Sequence, residues 1–91
     1  MILEGRTLAA QIRETLPARA EAVRQKMGRP IGLCAIGSTE DYGAYLYLKK
    51  EVEAAKKLGV QTQIFEINHE TPAAEFLALV EHLSADEATD A

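Results

Sequence analysis

Tyr45 and Lys49 are the two residues of this chain whose types and spacing best suit chemistry. Side chains four positions apart on a helix lie one above the other, so a helix here would place a phenol next to an ammonium. An amine that has lost its proton can act as a base, and a phenol combines a flat apolar face with a polar tip. The same spacing is also common on an ordinary solvated helix, and the pattern alone leaves both interpretations open.

The pair lies in a stretch that predicts a strand, a turn and a helix. Residues 31–36 form a short apolar run, which is typical of a strand buried on both faces in a parallel sheet. A helix is predicted from about residue 41 to residue 58, with Thr39 or Asp41 as its N-cap. Its apolar stripe consists of Tyr45, Leu48, Val52, Ala55 and Leu58.

Helical periodicity places Tyr45 at the edge of this stripe and Lys49 just outside it. Tyr47 and Glu51 point toward the polar flank of the same helix. We therefore expect Tyr45 and Lys49 to be half-sheltered, next to the carboxyl end of the preceding strand. Because ligands of open parallel α/β sheets bind beyond the carboxyl ends of the strands, the sequence predicts a ligand site at this point.

The remaining chain predicts two more helices and one more strand. A first helix capped by Thr7 should be kinked or divided by Pro17, and a second strand covers 60–67. Thr71 caps a last helix that starts at the next residue, and the acidic tail 84–91 is expected to be frayed. The apolar stripe of the first helix is Leu8, Ile12, Leu16, Ala20, Val23 and Met27, and that of the last is Phe76, Leu79, Val80 and Leu83.

The order helix-strand-helix-strand-helix predicts an α/β fold, a three-layer α/β/α arrangement around a small parallel sheet. The 91 residues suffice for one domain. Two strands make a poor core, even if Ile2-Leu3 adds a short edge piece. We therefore interpret residues 1–91 as a single partial domain that more chain or a partner subunit would complete.

Charge and composition exclude several classes of function. The net charge of −4 argues against nucleic-acid binding, and no apolar run is long enough for a membrane span. The start shows no signal-peptide pattern, and the single cysteine, Cys34, is interpreted as a small core residue. These features favour a cytoplasmic protein. His69 and His82 share no ligand spacing with Cys34, so no metal site is predicted.

Several segments in order resemble one known family. Residues 3–9 are similar to that family's opening Asp-Gly-Lys segment, and Ile36-Gly37-Ser38 is similar to its Val-Gly-x strand end. Tyr45-Leu46-Tyr47-Leu48-Lys49 resembles its Tyr-Val-x-x-Lys, and residues 83–86 resemble its Leu-Asn-x-Asp. The family is the N-terminal catalytic domain of the bifunctional methylenetetrahydrofolate dehydrogenase/methenyltetrahydrofolate cyclohydrolase, and the resemblance covers essentially the whole chain.

The resemblance implies an enzyme that interconverts methylene-, methenyl- and formyl-tetrahydrofolate. In that family the tyrosine stacks on the folate ring system and the lysine is the central group for cyclohydrolysis. The resemblance assigns these roles to Tyr45 and Lys49, which are the two predicted catalytic residues. Tyr45 is also predicted to bind substrate, together with Tyr42 and Tyr47. A half-buried lysine loses its proton at a lower pH, as such a role requires.

A second alignment with the family remains open. Counting forward from Gly37 places Tyr45 and Lys49 at the family's positions, whereas counting back from Gly59 places Tyr47 and Glu51 there. The second count would make the chain a degenerate homologue without the catalytic lysine. Insertions are easier in a turn than in a helix, which favours the second count, whereas the helical geometry and the retained Tyr-x-x-x-Lys favour the first.

The family's dinucleotide-binding domain is absent from these 91 residues, which contain no Gly-x-Gly-x-x-Gly. NADP is therefore expected only in the complete enzyme, and the chain alone is expected to have little or no activity. The expected partner is either a second copy of this chain, in a homo-oligomer, or a C-terminal domain that is missing from these residues. The alternative is a non-catalytic α/β module that associates with another chain through its open sheet edge.

Overall fold

The computed structural model describes residues 4–91 and contains three helices and two strands that alternate along the chain. The predicted α/β fold is confirmed, whereas the proposed edge piece at Ile2-Leu3 lies outside the described residues. The elements are α1 (Gly5–Met27), β1 (Gly32–Ser38), α2 (Tyr42–Lys57), β2 (Gln61–Ile67) and α3 (Ala73–Ala85). None of the helices between residues 4 and 91 combines the length and apolarity that a membrane crossing requires.

β1 and β2 pair in parallel, from Gly32 opposite Gln61 to Ser38 opposite Ile67. Both strands therefore end at the same edge of the sheet. Within β1, only Gly32 is buried and the other residues are half-buried, so the prediction of a strand buried on both faces was too strong. A two-stranded sheet leaves the flanks of each strand open to solvent, which explains the difference.

The two faces of the sheet are covered by different helices. A Cβ on Gly37 would lie 2.5 Å from Leu48 Cδ2, so α2 packs closely on the face to which Gly37 belongs. The opposite face carries Ile36, which lines a groove together with Val80 and Leu83 of α3. The predicted α/β/α layering follows, and the buried hydrophobic residues among 4–91 are Val52 from α2 and Leu83 from α3.

The first helix differs from its prediction in three ways. It begins at Gly5 with Glu4 as N-cap, and Thr7 instead donates its hydroxyl to Glu4 Oε2 at 2.9 Å. Pro17 lies inside one continuous helix and does not divide it. The apolar stripe of Gly5–Met27 buries no residue: Leu8, Ile12, Val23 and Met27 are all exposed.

Most of the predicted helix ends are confirmed. Gly28 and Gly59 have φ of 73° and 81°, a left-handed conformation that glycine adopts without strain. Asp41, one of the two predicted N-caps of α2, accepts a bond from Ala44 N at 3.1 Å. At α3 the N-cap is Pro72, one residue later than predicted, because Thr71 Oγ1 accepts from Asn68 N at 3.0 Å.

The acidic tail is attached to the sheet and is not frayed as predicted. Cys34 N donates to Ala91 O at 2.8 Å, and Ala91 N donates to Gly32 O at 3.2 Å. This pair of bonds is the pattern of a parallel bridge between Leu33 and Ala91. The chain thus begins to line the edge of β1 that β2 leaves free.

An ion pair fixes the tail in this place. Arg29 Nη2 donates to Asp90 Oδ1 at 2.8 Å and Arg29 Nη1 donates to Asp90 Oδ2 at 2.9 Å. Asp90 Oδ2 also accepts from Gly32 N at 2.8 Å. A side chain at Gly32 would collide with the Ala88 backbone, so only glycine allows this close approach. These bonds, led by the one from Arg29, lower the pKa of the Asp90 carboxyl from 3.8 to about 2.

Strong acid is expected to release the tail from β1. Because the pKa of Asp90 is lower in the folded chain, its contribution to stability is complete above about pH 4 and is lost as the pH falls through about 2. The amide NMR shifts of Gly32 and Cys34 should follow this transition, and Asp90→Asn should remove it because an amide does not titrate there. Parent amide shifts that stay constant across that range would contradict the role given to Asp90.

Candidate functional site

The candidate site lies at the edge of the sheet where both strands end. The turn after β1 is joined to the end of β2, since Thr39 N donates to Ile67 O at 3.2 Å. Parallel strands joined by a helix bring their carboxyl ends together, and ligands of such sheets bind there. The side chains of the first turns of α2 and those at the end of β2 therefore share one surface.

Tyr45 lies where the sequence predicted, against the tip of β1. Its side chain is half-buried, and Tyr45 Cδ2 lies 3.4 Å from the position of a Cβ on Gly37. Any side chain at Gly37 would push on this ring and on Leu48. The phenol hydroxyl donates a short hydrogen bond to Glu66 Oε1 on β2.

The bond to Glu66 also fixes the protonation of the phenol. It is the main reason that the pKa of Tyr45 is raised above 10.0, followed by desolvation of the ring and the charge of Glu66. Tyr45 therefore stays protonated at neutral pH. The ring offers a ligand a flat apolar surface, and its hydroxyl is bonded to Glu66.

Lys49 is next to Tyr45, and its Nζ lies 5.5 Å from the centroid of the Tyr45 ring. This distance is within the range of a cation–π contact. The prediction of a half-sheltered pair is correct for Tyr45 and wrong for Lys49, which is exposed. The reason is that Lys49 lies one step beyond the buried stripe and no described element covers that flank of α2. A ligand stacked on the ring would reach the ammonium.

The other candidate residues have exposed side chains on α2. Tyr42 is 77% exposed and Tyr47 is 66% exposed, and Glu51 is also exposed on α2. The structure thus brings Tyr45 and Lys49 together and does not bring Tyr47 and Glu51 to the sheet. Tyr42 and Tyr47 stay predictions as substrate-binding residues.

Two acidic residues take part in bonds that the sequence did not reveal. Glu66 accepts a hydrogen bond from the Tyr45 hydroxyl. Glu40 accepts from His69 N at 3.1 Å and from the ring Nδ1 of His69. These bonds from His69, the ring bond first, lower the pKa of Glu40 below its usual value of 4.5. The strand register would have placed Glu66 close to Tyr45, because Glu66 pairs with Gly37 and the Tyr45 ring lies against Gly37.

Residues 3–91 match the model of a protein family, the catalytic domain of tetrahydrofolate dehydrogenase/cyclohydrolase. The chain belongs to this family. Among curated members, the bifunctional protein FolD of Elusimicrobium minutum is 50% identical over 91 residues, which are 100% of this chain and 32% of that protein. The FolD protein of Acinetobacter baumannii is 34% identical over 86 residues, 94% of this chain and 30% of that protein.

Solved structures of tetrahydrofolate dehydrogenase/cyclohydrolase proteins have the same fold. The bifunctional FolD enzyme of Campylobacter jejuni superimposes with a TM-score of 0.85 at 25% identity, covering 98% of this chain and 31% of that one. The enzyme of Trypanosoma brucei, solved with NADP cofactor and inhibitor, gives 0.83 at 21% identity, over 98% of this chain and 30% of that one. The chain thus spans about a third of the length of the relatives that it matches.

Proposed function

We propose that this chain supplies one side of the folate pocket of an enzyme that interconverts methylene-, methenyl- and formyl-tetrahydrofolate. The observation that carries the proposal is the place of Tyr45 and Lys49, with the Lys49 ammonium 5.5 Å from the Tyr45 ring at the carboxyl edge of a parallel sheet. Membership of the tetrahydrofolate dehydrogenase/cyclohydrolase family supports the same pocket.

Each residue has a physical role in this pocket. The Tyr45 ring, held against the tip of β1, stacks on the planar folate ring system. Lys49 is exposed in the free chain, and a folate stacked beside it would remove water from its amine. We assign to Lys49 the proton transfer in hydrolysis of the methenyl bridge, because its amine lies beside the ring on which the folate would stack.

The hydride chemistry belongs to another part of the enzyme. Residues 1–91 contain no Gly-x-Gly-x-x-Gly, so we assign the binding of NADP to a further domain. The 91-residue chain alone is proposed to bind folate weakly and to have little or no cyclohydrolase activity. A hydrolysis rate of methenyltetrahydrofolate well above that of buffer, abolished by Lys49→Met, would contradict this part of the proposal.

Binding of 5,10-methenyltetrahydrofolate to the 91-residue chain, measured by isothermal titration calorimetry, tests the pocket directly. Tyr45→Ala is expected to weaken binding about tenfold, since stacking on an aromatic ring contributes on the order of 1–3 kcal/mol. Tyr47→Ala, two residues away on the same helix, is the comparison. As an outer contact of the folate it should weaken binding less than Tyr45→Ala does, by no more than about threefold. The reverse result would support Tyr47 and Glu51 as the family's positions and would contradict the assignment made here.

A second candidate function, association with another chain, is favoured by a different observation. The exposed stripe of α1, consisting of Leu8, Ile12, Val23 and Met27, is the kind of apolar surface that a partner covers. An association module would form concentration-dependent dimers in sedimentation and would be indifferent to folate. A folate-binding chain would bind 5,10-methenyltetrahydrofolate in calorimetry, and Tyr45→Ala would weaken that binding, whether or not the chain dimerises.

A further inference from the structure

We propose that Glu66 is a positioning residue for the folate pocket, because it holds the Tyr45 ring in the orientation that a folate would meet. The effect of Glu66 on folate binding rests on the proposed function. The contact from which the proposal is drawn does not depend on that function. Glu66 acts through Tyr45 and is not itself assigned a contact with substrate.

The sheet register brings Glu66 to this place. Glu66 pairs with Gly37 across the two parallel strands, and paired residues project on the same face of a sheet. That face is the one on which α2 packs, as the closeness of Leu48 to Gly37 shows. Glu66 therefore reaches the phenol directly, from the strand next to the one on which the ring rests.

The Tyr45 ring is fixed at two points. Its inner edge, at Cδ2 and Cε2, packs against Gly37, and its outer tip donates a hydrogen bond to Glu66. A tyrosine side chain has two rotatable bonds before the ring, and the contact with Gly37 alone leaves the tip free to swing. The bond to Glu66 removes that freedom before a ligand binds, which lowers the cost of ordering the ring in the complex.

The position of Lys49 depends on the same ring. Among residues 4–91, Lys49 takes part in none of the ion pairs within 4 Å, and the contact recorded for its ammonium is the Tyr45 ring. Glu66 thus orients the ring over which the Lys49 ammonium lies. The other acids near this edge are engaged elsewhere, since Glu40 bonds His69 and Asp41 caps α2.

Titration of the phenol tests the contact without any ligand. In a Tyr42→Phe/Tyr47→Phe background the only remaining tyrosine is Tyr45, whose ionisation is followed by ultraviolet absorbance. Tyr45 faces Glu66 from β2 and Lys49 from its own helix. Glu66→Leu is expected to lower the pKa of Tyr45 toward the ordinary value of about 10, because it removes both the hydrogen-bond acceptor and the negative charge. An unchanged phenol pKa would overturn the proposal.

Binding of 5,10-methenyltetrahydrofolate then tests the consequence. Glu66→Leu is expected to weaken binding about fivefold, whereas Glu66→Gln should stay within about twofold of the parent because its amide oxygen still accepts the bond. Glu81→Leu, the same exchange at an exposed position of α3, is the control. In a Tyr45→Phe background, which lacks the hydroxyl, Glu66→Leu should have no further effect.

The outcomes separate this proposal from the proposed function. An equal loss from Glu66→Leu in the parent and in the Tyr45→Phe background would overturn the positioning role, since the two residues would then act independently. A parent chain that binds no folate at all would instead overturn the proposed function, and with it the effect of Glu66 on binding. The phenol titration would still report whether Glu66 holds the ring.

Discussion

Lys49→Met is expected to reduce the rate of methenyltetrahydrofolate hydrolysis by about 10²- to 10⁴-fold, the range typical of a lost acid–base group. The measurement requires the rest of an enzyme. The FolD protein of Elusimicrobium minutum supplies it, because it is 50% identical to this chain over all 91 residues. In a chimera, this chain replaces the matching segment of that protein, and hydrolysis is followed by absorbance.

The physical reason is that methionine keeps the length and the apolar stem of lysine but cannot exchange a proton. Folate binding should therefore survive while turnover is lost, so that kcat falls much more than KM rises. Lys50→Met is the matched control, because Lys50 is also exposed but follows Lys49 by one residue and projects from another side of α2. A chimera that loses activity with Lys50→Met or Glu51→Gln, and keeps it with Lys49→Met, would contradict the assignment.

Leu83→Ala is expected to destabilise the 91-residue chain by about 2–5 kcal/mol, which is a large part of the stability of a small domain. Leu83 is 9% exposed and is one of two buried core residues among those that the structure describes. Removing its side chain enlarges the groove between α3 and Ile36, and neighbouring groups can fill only part of that space. Urea denaturation followed by circular dichroism measures the loss.

Leu77→Ala provides the comparison on the same helix and with the same change of side chain. Leu77 is 58% exposed, so its truncation should change the free energy of unfolding by no more than about 0.5 kcal/mol. Equal losses at the two positions would show that α3 does not form the core with the sheet, against the packing described here.

The sequence predicted those features of the site that depend on local geometry. Helical periodicity placed Tyr45 at the edge of the buried stripe, and the order of elements placed the stripe beside the end of a strand. Both follow from residues close together in the chain. The exposure of Lys49 did not follow, because a helical wheel gives the angle of a side chain and not what covers it.

The features that were missed depend on residues far apart in the chain. Glu66 reaches Tyr45 only through the strand register, and the strand pattern there changes phase at Phe65, which hides the face on which Glu66 lies. The attached tail depends on Arg29 and Asp90, which are 61 positions apart. A sequence read in short windows shows an acidic tail at that point and not the cation that binds it.

The continuous first helix has a consequence for how the molecule loses its structure. No side chain of Gly5–Met27 is buried, so the free energy that holds α1 together comes from its own backbone bonds and from local pairs such as Arg24 with Glu21. Most of the stability of a helix in a protein comes from packing its apolar face, which α1 lacks, and such a helix frays from its ends. α1 should therefore melt as a separate, weakly cooperative unit, while the sheet with α2 unfolds in its own transition.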